Sequence, residues 1–167
     1  MSADFSEIEN NLSLDTTSGL GQYVTFVLGE EEYGIEILRV QEIIRYQEFT
    51  KLPNLPDFIK GVINLRGTVV PVIDLRLKFH LEEKDSSQST VIIVLEVSGR
   101  IMGVVVDSIH DVISLSDEEF QATPALSSKI RTDFIKGMGK KKDKMIIMLD
   151  INKVLSEEEL EMVDEVN

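Results

Sequence analysis

The chain has no cysteine. That absence removes a disulfide framework, a thiolate metal site and a cysteine nucleophile together, and it fits a cytosolic protein. Histidine is scarce as well, with two residues, so little imidazole is on hand for metal binding or proton transfer. Basic residues are few: 17 Lys and Arg stand against 30 Asp and Glu, a formal charge of −13. A surface of that sign repels a phosphate backbone, so nucleic acid is not an expected partner. Long apolar runs are missing too. VIIVL, Val91 to Leu95, falls far short of the ~20 residues that a membrane helix needs, and no insertion into a membrane is expected. The first residues, MSADFSEIEN, have neither a basic start nor an apolar core, so no signal peptide is expected. Acid concentrates in SEEELEMVDEVN, which reads as a solvated helix face.

What is present is a chain of 167 residues, 43% of them hydrophobic, enough for one domain with a real core or for two small subdomains sharing one. Residues 1–19 are polar and without period and read as a flexible leader, with at most one helical turn near Ile8; residues 20–167 form the domain. From Tyr23 onward, short β-rich runs recur: YVTFVL, EYGIEI, QEIIRY, GVINL, TVVPVIDL, TVIIVLEV, RIMGVVVD, HDVISL and MIIMLD. Turn-like segments (GEEE, NLRG, VSGR, GKKKDK) divide them. Many short strands of this kind predict small barrels or a sandwich.

The word DFIKG occurs twice, at Asp57 and at Asp133, an offset of 76. At that offset Val69–Asp74 faces Met145–Asp150 without a gap. Upstream, Gly34 pairs with Gly103, Val40 with Ile109 and Ile44 with Ile113, at an offset of 69. The seven-residue difference falls around TPALSSKIRT. The chain therefore reads as two copies of one β-rich unit, about 22–80 and 89–155. Each copy predicts a barrel of about five strands. VIIVL and MIIML are apolar at consecutive positions, so one face would fill a barrel and the other would pack on its sister. Asp74 and Asp150 end strands and suit helix N-caps. Ser116 with Glu119 and Ser156 with Glu159 have capping-box spacing, which predicts a short helix after ISLS and a helix at the C-terminal end.

No catalytic constellation assembles from these letters. Asp107, Ser108, His110 and Asp111 supply the members of a triad, yet neighbours along one strand point to opposite faces. GMGK, Gly137 to Lys140, lacks the spacing of a phosphate loop. Glu30–Glu32 is a carboxylate run without spaced ligand geometry, read as a solvated turn. No metal, no cofactor and no catalysis are expected. The copies differ most where Asn64–Gly67 (NLRG) of the first becomes Lys140–Asp143 of the second. NLRG is sound turn chemistry, and it puts Arg66 at a hairpin tip.

GEEEYGIEILRVQEI, FIKGVINLRGTVVPVIDLRLKF and GVVVD together closely resemble the CheW family of bacterial chemotaxis coupling proteins, from about Tyr23 to Leu160. The resemblance implies a mainly β fold: two intertwined SH3-like five-stranded β-barrels with short helices and a C-terminal helix. It implies a non-catalytic adaptor that joins the cytoplasmic tip of methyl-accepting chemotaxis receptors to the regulatory domain of the histidine kinase CheA. Such an adaptor would be cytoplasmic, in receptor arrays beneath the inner membrane. By the same resemblance, Arg66 pairs with Glu42 and supports receptor coupling, with Asn64, Lys60 and Gly61 beside that surface. Val24, Ile37 and Val40 map to an apolar kinase-docking patch, which Ile37 and Val40, three apart, would expose on a helical turn. Two other readings stand beside this one: a coupler for a non-flagellar chemosensory pathway, and a small β-barrel enzyme or nucleotide-binding module, which the missing acid/base constellation disfavours.

Overall fold

The computed structural model describes residues 21–82, 85–122 and 134–166. The leader, the TPALSSKIRT insertion and Asp133 of the second DFIKG lie outside the described residues. The first copy runs β1 (Gln22–Leu28), β2 (Glu31–Glu36), a 3₁₀ turn (Ile37–Arg39), β3 (Val40–Arg45), β4 (Ile59–Leu65), β5 (Thr68–Asp74) and α1 (Leu75–Lys78). The second runs β6 (Val91–Val97), β7 (Arg100–Val106), β8 (Ser108–Ser114), β9 (Phe120–Gln121), β10 (Ile135–Lys141), β11 (Lys144–Leu149), a 3₁₀ turn (Ile151–Lys153) and α2 (Glu157–Val166).

The repeat extends to hydrogen-bond register. Ile59 faces Ile73 and Gly61 faces Val72, with a bulge between them; Ile135 faces Leu149 and Gly137 faces Met148, with the same bulge. In each copy the N–H of the closing aspartate donates to the carbonyl of the phenylalanine of DFIKG, at 2.8 Å for Asp74–Phe58 and for Asp150–Phe134. Each of these aspartates also caps the helical turn after it. Asp74 Oδ1 accepts from the Arg76 and Leu77 N–H groups at 2.9 and 3.5 Å, and Asp150 Oδ1 from Asn152 at 3.2 Å. Both capping boxes form: the Ser116 N–H donates to Glu119 at 2.9 Å, and the Ser156 N–H to Glu159 at 2.8 Å. The first heads only a 3₁₀ turn, the second heads α2.

The sheets do not follow the copies. One has the order β8-β1-β2-β11-β10-β9 and the other β3-β6-β7-β5-β4. The opening hairpin of each copy, β1–β2 or β6–β7, is laid into the barrel of the other. This exchange is what intertwines the two SH3-like barrels. The two crossings are equivalent parallel contacts, Gly34 beside Met148 and Gly103 beside Val72. Both glycines are there for room. A Cβ on Gly34 would lie 2.6 Å from Met148 Cε, and one on Gly103 would lie 2.8 Å from Ile92 Cγ2.

Three apolar clusters result. Ile63, Val70, Val72, Ile92, Val94 and Val105 form one, on the five-stranded sheet. Tyr23, Ile146 and Met148, with Leu115 and Phe120 against them, form its smaller counterpart. The largest lies between the sheets and includes Phe26, Ile35, Ile43, Ile73, Ile93, Leu95, Val106 and Leu149. β6 serves two of them, with Ile92 and Val94 on one face and Ile93 and Leu95 on the other. Strand alternation therefore explains why VIIVL is apolar at every position. Among the described residues, no helix is long and apolar enough to cross a membrane.

Candidate functional site

The β4–β5 turn has two residues, Arg66 and Gly67, both at positive φ (52° and 87°). That is the backbone of a tight hairpin whose twist matches its strands. Asn64 Oδ1 braces it by accepting the Gly67 N–H at 2.8 Å. Arg66 is thereby held outward, its side chain 73% exposed, and its guanidinium grips the Glu42 carboxylate with two bonds. Nη1 donates to Oε2 at 3.2 Å, and Nη2 donates to Oε1. The hydrogen bond to Glu42, then its charge, raises the Arg66 pKa above the ordinary arginine value. Glu42 lies on β3, and β3 and β4 are the two edges of the five-stranded sheet. The pair thus ties one sheet edge to the other, and farther along β4 an isolated bridge from Val62 to Thr50 holds the connection that follows β3.

Of the residues assigned to receptor coupling, the structure gathers Arg66, Glu42 and Asn64 at one end of β4. Lys60 and Gly61 sit toward the other end. Lys60 Nζ is 3.8 Å from Asp74 Oδ2 beneath the N-cap of α1. Gly61, buried at φ 148°, lies against the backbone of Thr50, whose carbonyl oxygen would be 2.3 Å from an added Cβ. Both positions support the hairpin rather than extend the Arg66 surface.

The apolar patch is differently built from its expectation. Val24 is fully buried in β1, on the other sheet from Val40, and Ile37 is 6% exposed. A 3₁₀ turn repeats every three residues, so Ile37 and Val40 fall on the same side, and that side faces the core. Val24 and Ile37 are therefore core residues and offer a partner no surface. Val40 is half-buried against the same core. Leu38, between them, is 59% exposed. The sequence carried a signal for it: once Ile37 and Val40 point inward at that period, Leu38 must point out.

The remaining polar letters are occupied structurally. Asp107 receives Nε and Nη2 of Arg76, both at 2.7 Å, and the Gly29 N–H at 2.9 Å. It thus locks α1 to the β1–β2 turn. The Asp111 N–H donates to Thr25 Oγ1 at 3.1 Å. His110 Nδ1 is 2.8 Å from Glu32 Oε2, so Glu32 is half of a pair and not part of a solvated turn. No triad forms. Among the described residues, no three His, Asp or Glu side chains could hold a metal ion. Two ion pairs dock the acidic helix α2, whose sequence alone reads as a solvated face. Lys78 holds Glu159 at 2.7 Å, and Arg100 Nη2 donates to Asp164 at 2.7 Å.

A family model described as CheW-like domain matches residues 22–159, which span every strand. The chain is 46% identical over 145 residues to the chemotaxis protein CheW of Klebsiella aerogenes, covering 87% of each. It is 36% identical over 144 residues to that of Treponema pallidum, covering 84% of this chain and 85% of the relative. Its structure is similar to the crystal structure of the scaffolding protein TtCheW from Thermoanaerobacter tengcongensis, with a TM-score of 0.76 and 36% identity, over 83% of this chain and 94% of that one. The chain belongs to the CheW-like family of scaffold and coupling proteins.

Proposed function

We propose that this chain is a non-catalytic adaptor placing the histidine kinase CheA under the control of methyl-accepting chemotaxis receptors, in cytoplasmic arrays at the membrane. The observation that carries the reading is the CheW-like match across residues 22–159. Two surfaces would divide the work. The hairpin tip with Arg66, Glu42 and Asn64 faces the receptor. Exposed Leu38, with half-buried Val40 beside it, offers an apolar anchor to the regulatory domain of the kinase. A small patch dominated by one or two apolar anchors suits micromolar affinity, about −8 kcal/mol.

Reconstitution tests the reading. The chain, a CheA kinase and receptor cytoplasmic tips are combined, and phosphate transfer is measured with each component omitted. Receptor control of the kinase should require this chain. Leu38→Ser should weaken binding to the kinase and leave receptor binding intact. Receptor control that persists without the chain would refute the coupling role.

A further inference from the structure

The second copy's hairpin carries a charge that the protein as a whole lacks. Lys140, Lys141, Lys142 and Lys144 crowd its tip with Asp143, a local excess of three positive charges on a chain of net −13. Lys140, Lys142 and Lys144 are exposed, and none has an ion pair among the described residues. Next to them Met145 is 45% exposed. Lys141 turns back along the sheet, donating to the Ser114 carbonyl at 2.8 Å and lying 3.3 Å from Glu119. Beside this strand is a cleft of about 370 Å³ lined by Tyr23, Leu115, Ser116, Asp117, Phe120 and Lys136, so that one carboxylate and one ammonium face it among apolar walls.

The chain's own first 20 residues join the domain at this place. The Gly21 carbonyl accepts the Leu115 N–H at 2.9 Å, one residue from the carbonyl that Lys141 binds. Residues 1–20 contain Asp4, Glu7, Glu9 and Asp15 and no Lys or Arg, with Phe5, Ile8, Leu12 and Leu14 among the acids. Four negative charges meet three exposed lysines and Asp143, an excess of two positive charges once Lys141 is given to Glu119, and apolar side chains meet the apolar wall of Tyr23, Leu115 and Phe120. A tether of this length reaches about 25 Å from Gly21, and so short a tether supplies a millimolar effective concentration without any partner. Acidic α2 is already held by Lys78 and Arg100, and in the acidic turn Asp117–Glu119 beside the cleft Glu119 is held by Lys141. We infer that residues 1–20 dock on the lysine hairpin and its adjoining cleft, covering this face of the second barrel in the free protein.

A cysteine-free chain makes the test direct. Ser6→Cys is introduced into the full chain and carries a nitroxide label, and broadening of backbone amide signals is measured. Broadening should concentrate on residues 140–145 and 115–120 and spare the equivalent Arg66 hairpin. It should fall by about threefold or more in ~0.5 M NaCl, where the Debye length is about 4 Å. The same fall is expected when Asp4, Glu7, Glu9 and Asp15 are replaced by Asn or Gln, a change that leaves the described residues untouched. Lys140→Ser with Lys142→Ser and Lys144→Ser should give the same result from the other side. Broadening that survives neutralisation of the four acids would overturn the inference. So would broadening that appears only between spin-labelled and isotope-labelled molecules mixed together, because the occupant would then be a second copy.

Discussion

The hairpins β4–β5 and β10–β11 are one structure used twice. Register, bulge and the capping aspartate agree. Even the left-handed residue at the tip agrees, Arg66 at φ 52° and Lys142 at φ 57°. What differs is where the tip side chain goes. Arg66 spans to Glu42 and closes its sheet edge. The residue at Glu42's place in the second copy is Asp111, one methylene shorter, and its carboxylate accepts the Val112 N–H at 2.8 Å instead. Lys142 is left pointing at solvent among three other lysines. The interior is fixed by packing, which two copies of a fold must satisfy alike. The tips are not, so one became an ordered pair and the other a cluster of lysines of which only Lys141 folds back onto the sheet.

Replacing the bulge glycines breaks this equivalence most strongly. In Gly61→Ala the new methyl meets the Thr50 carbonyl 2.3 Å away, at a positive φ that disfavours any side chain. A backbone carbonyl held in a bridge cannot swing aside. A loss of about 2–4 kcal/mol is expected, seen as a melting temperature about 5–15 °C lower. In Gly137→Ala the new methyl would meet the Phe120 ring at 2.5 Å and the Gln121 carbonyl oxygen at 2.8 Å, less closely than Gly61 approaches Thr50 and without a positive φ. A half-buried ring can tilt, so the loss should be smaller, about 1–3 kcal/mol. Equal losses would mean that the two bulges are held alike and the comparison fails.

The capping aspartates rank next. Asp74 is 5% exposed, accepts from two backbone N–H groups and lies near Lys60, so Asp74→Ala should cost about 1–2 kcal/mol by denaturant titration. Asp150 caps one N–H and is a third exposed, and its replacement should cost less than about 1 kcal/mol. A reversed order would show that the second barrel, not the first, depends on its cap.

A pH titration separates the copies by their helices. Glu159 of α2 loses some solvation by burial, which pushes its pKa up. Its bonds to Lys78 and to the Ser156 N–H outweigh this and leave the pKa below the ordinary value of 4.5. A depressed carboxylate pKa contributes stability that is fully present above the unfolded-state value and is lost as pH falls through the folded one. Acid should therefore release α2, with stability declining below about pH 4.5, and Glu159→Gln should flatten that part of the curve. An unchanged curve would remove the Lys78–Glu159 pair from the docking of α2.

The smallest effects on stability should fall at the tips, and there the readout is coupling. Arg66→Ala should leave the melting temperature within a few degrees of the parent, since the side chain is mostly in solvent. Receptor-dependent kinase activation should nonetheless drop sharply. Arg66→Glu combined with Glu42→Arg should restore part of it if the pair itself matters, and Lys142→Ala should leave coupling unchanged. Full coupling in Arg66→Ala would return NLRG to the role of a good turn.

The sequence by itself determined whatever depends on near neighbours. Strand alternation, the Arg66–Gly67 and Lys142–Asp143 turns, the capping aspartates and the repeat offsets are written in residues a few positions apart, and the backbone obeys them locally. The pairing of Ile37 with Val40 on one side of the turn was equally local, but which side meets the core was not, and packing buries Ile37 and exposes Leu38. Tertiary structure alone decided the exchange of hairpins, since no local preference says whether β1–β2 joins its own copy or the other. Glycine at 34 leaves room for Met148 across one crossing, and glycine at 103 leaves room for Ile92 and Val72 at the other. It also decided that Val24, a plausible surface valine in one strand, is sealed between two sheets. Asp107, which reads as a loose acid near a histidine, became the anchor of Arg76 and Gly29, 31 and 78 residues away. Burial and pairing at such separations come from how the sheets close, and that depends on the whole chain at once.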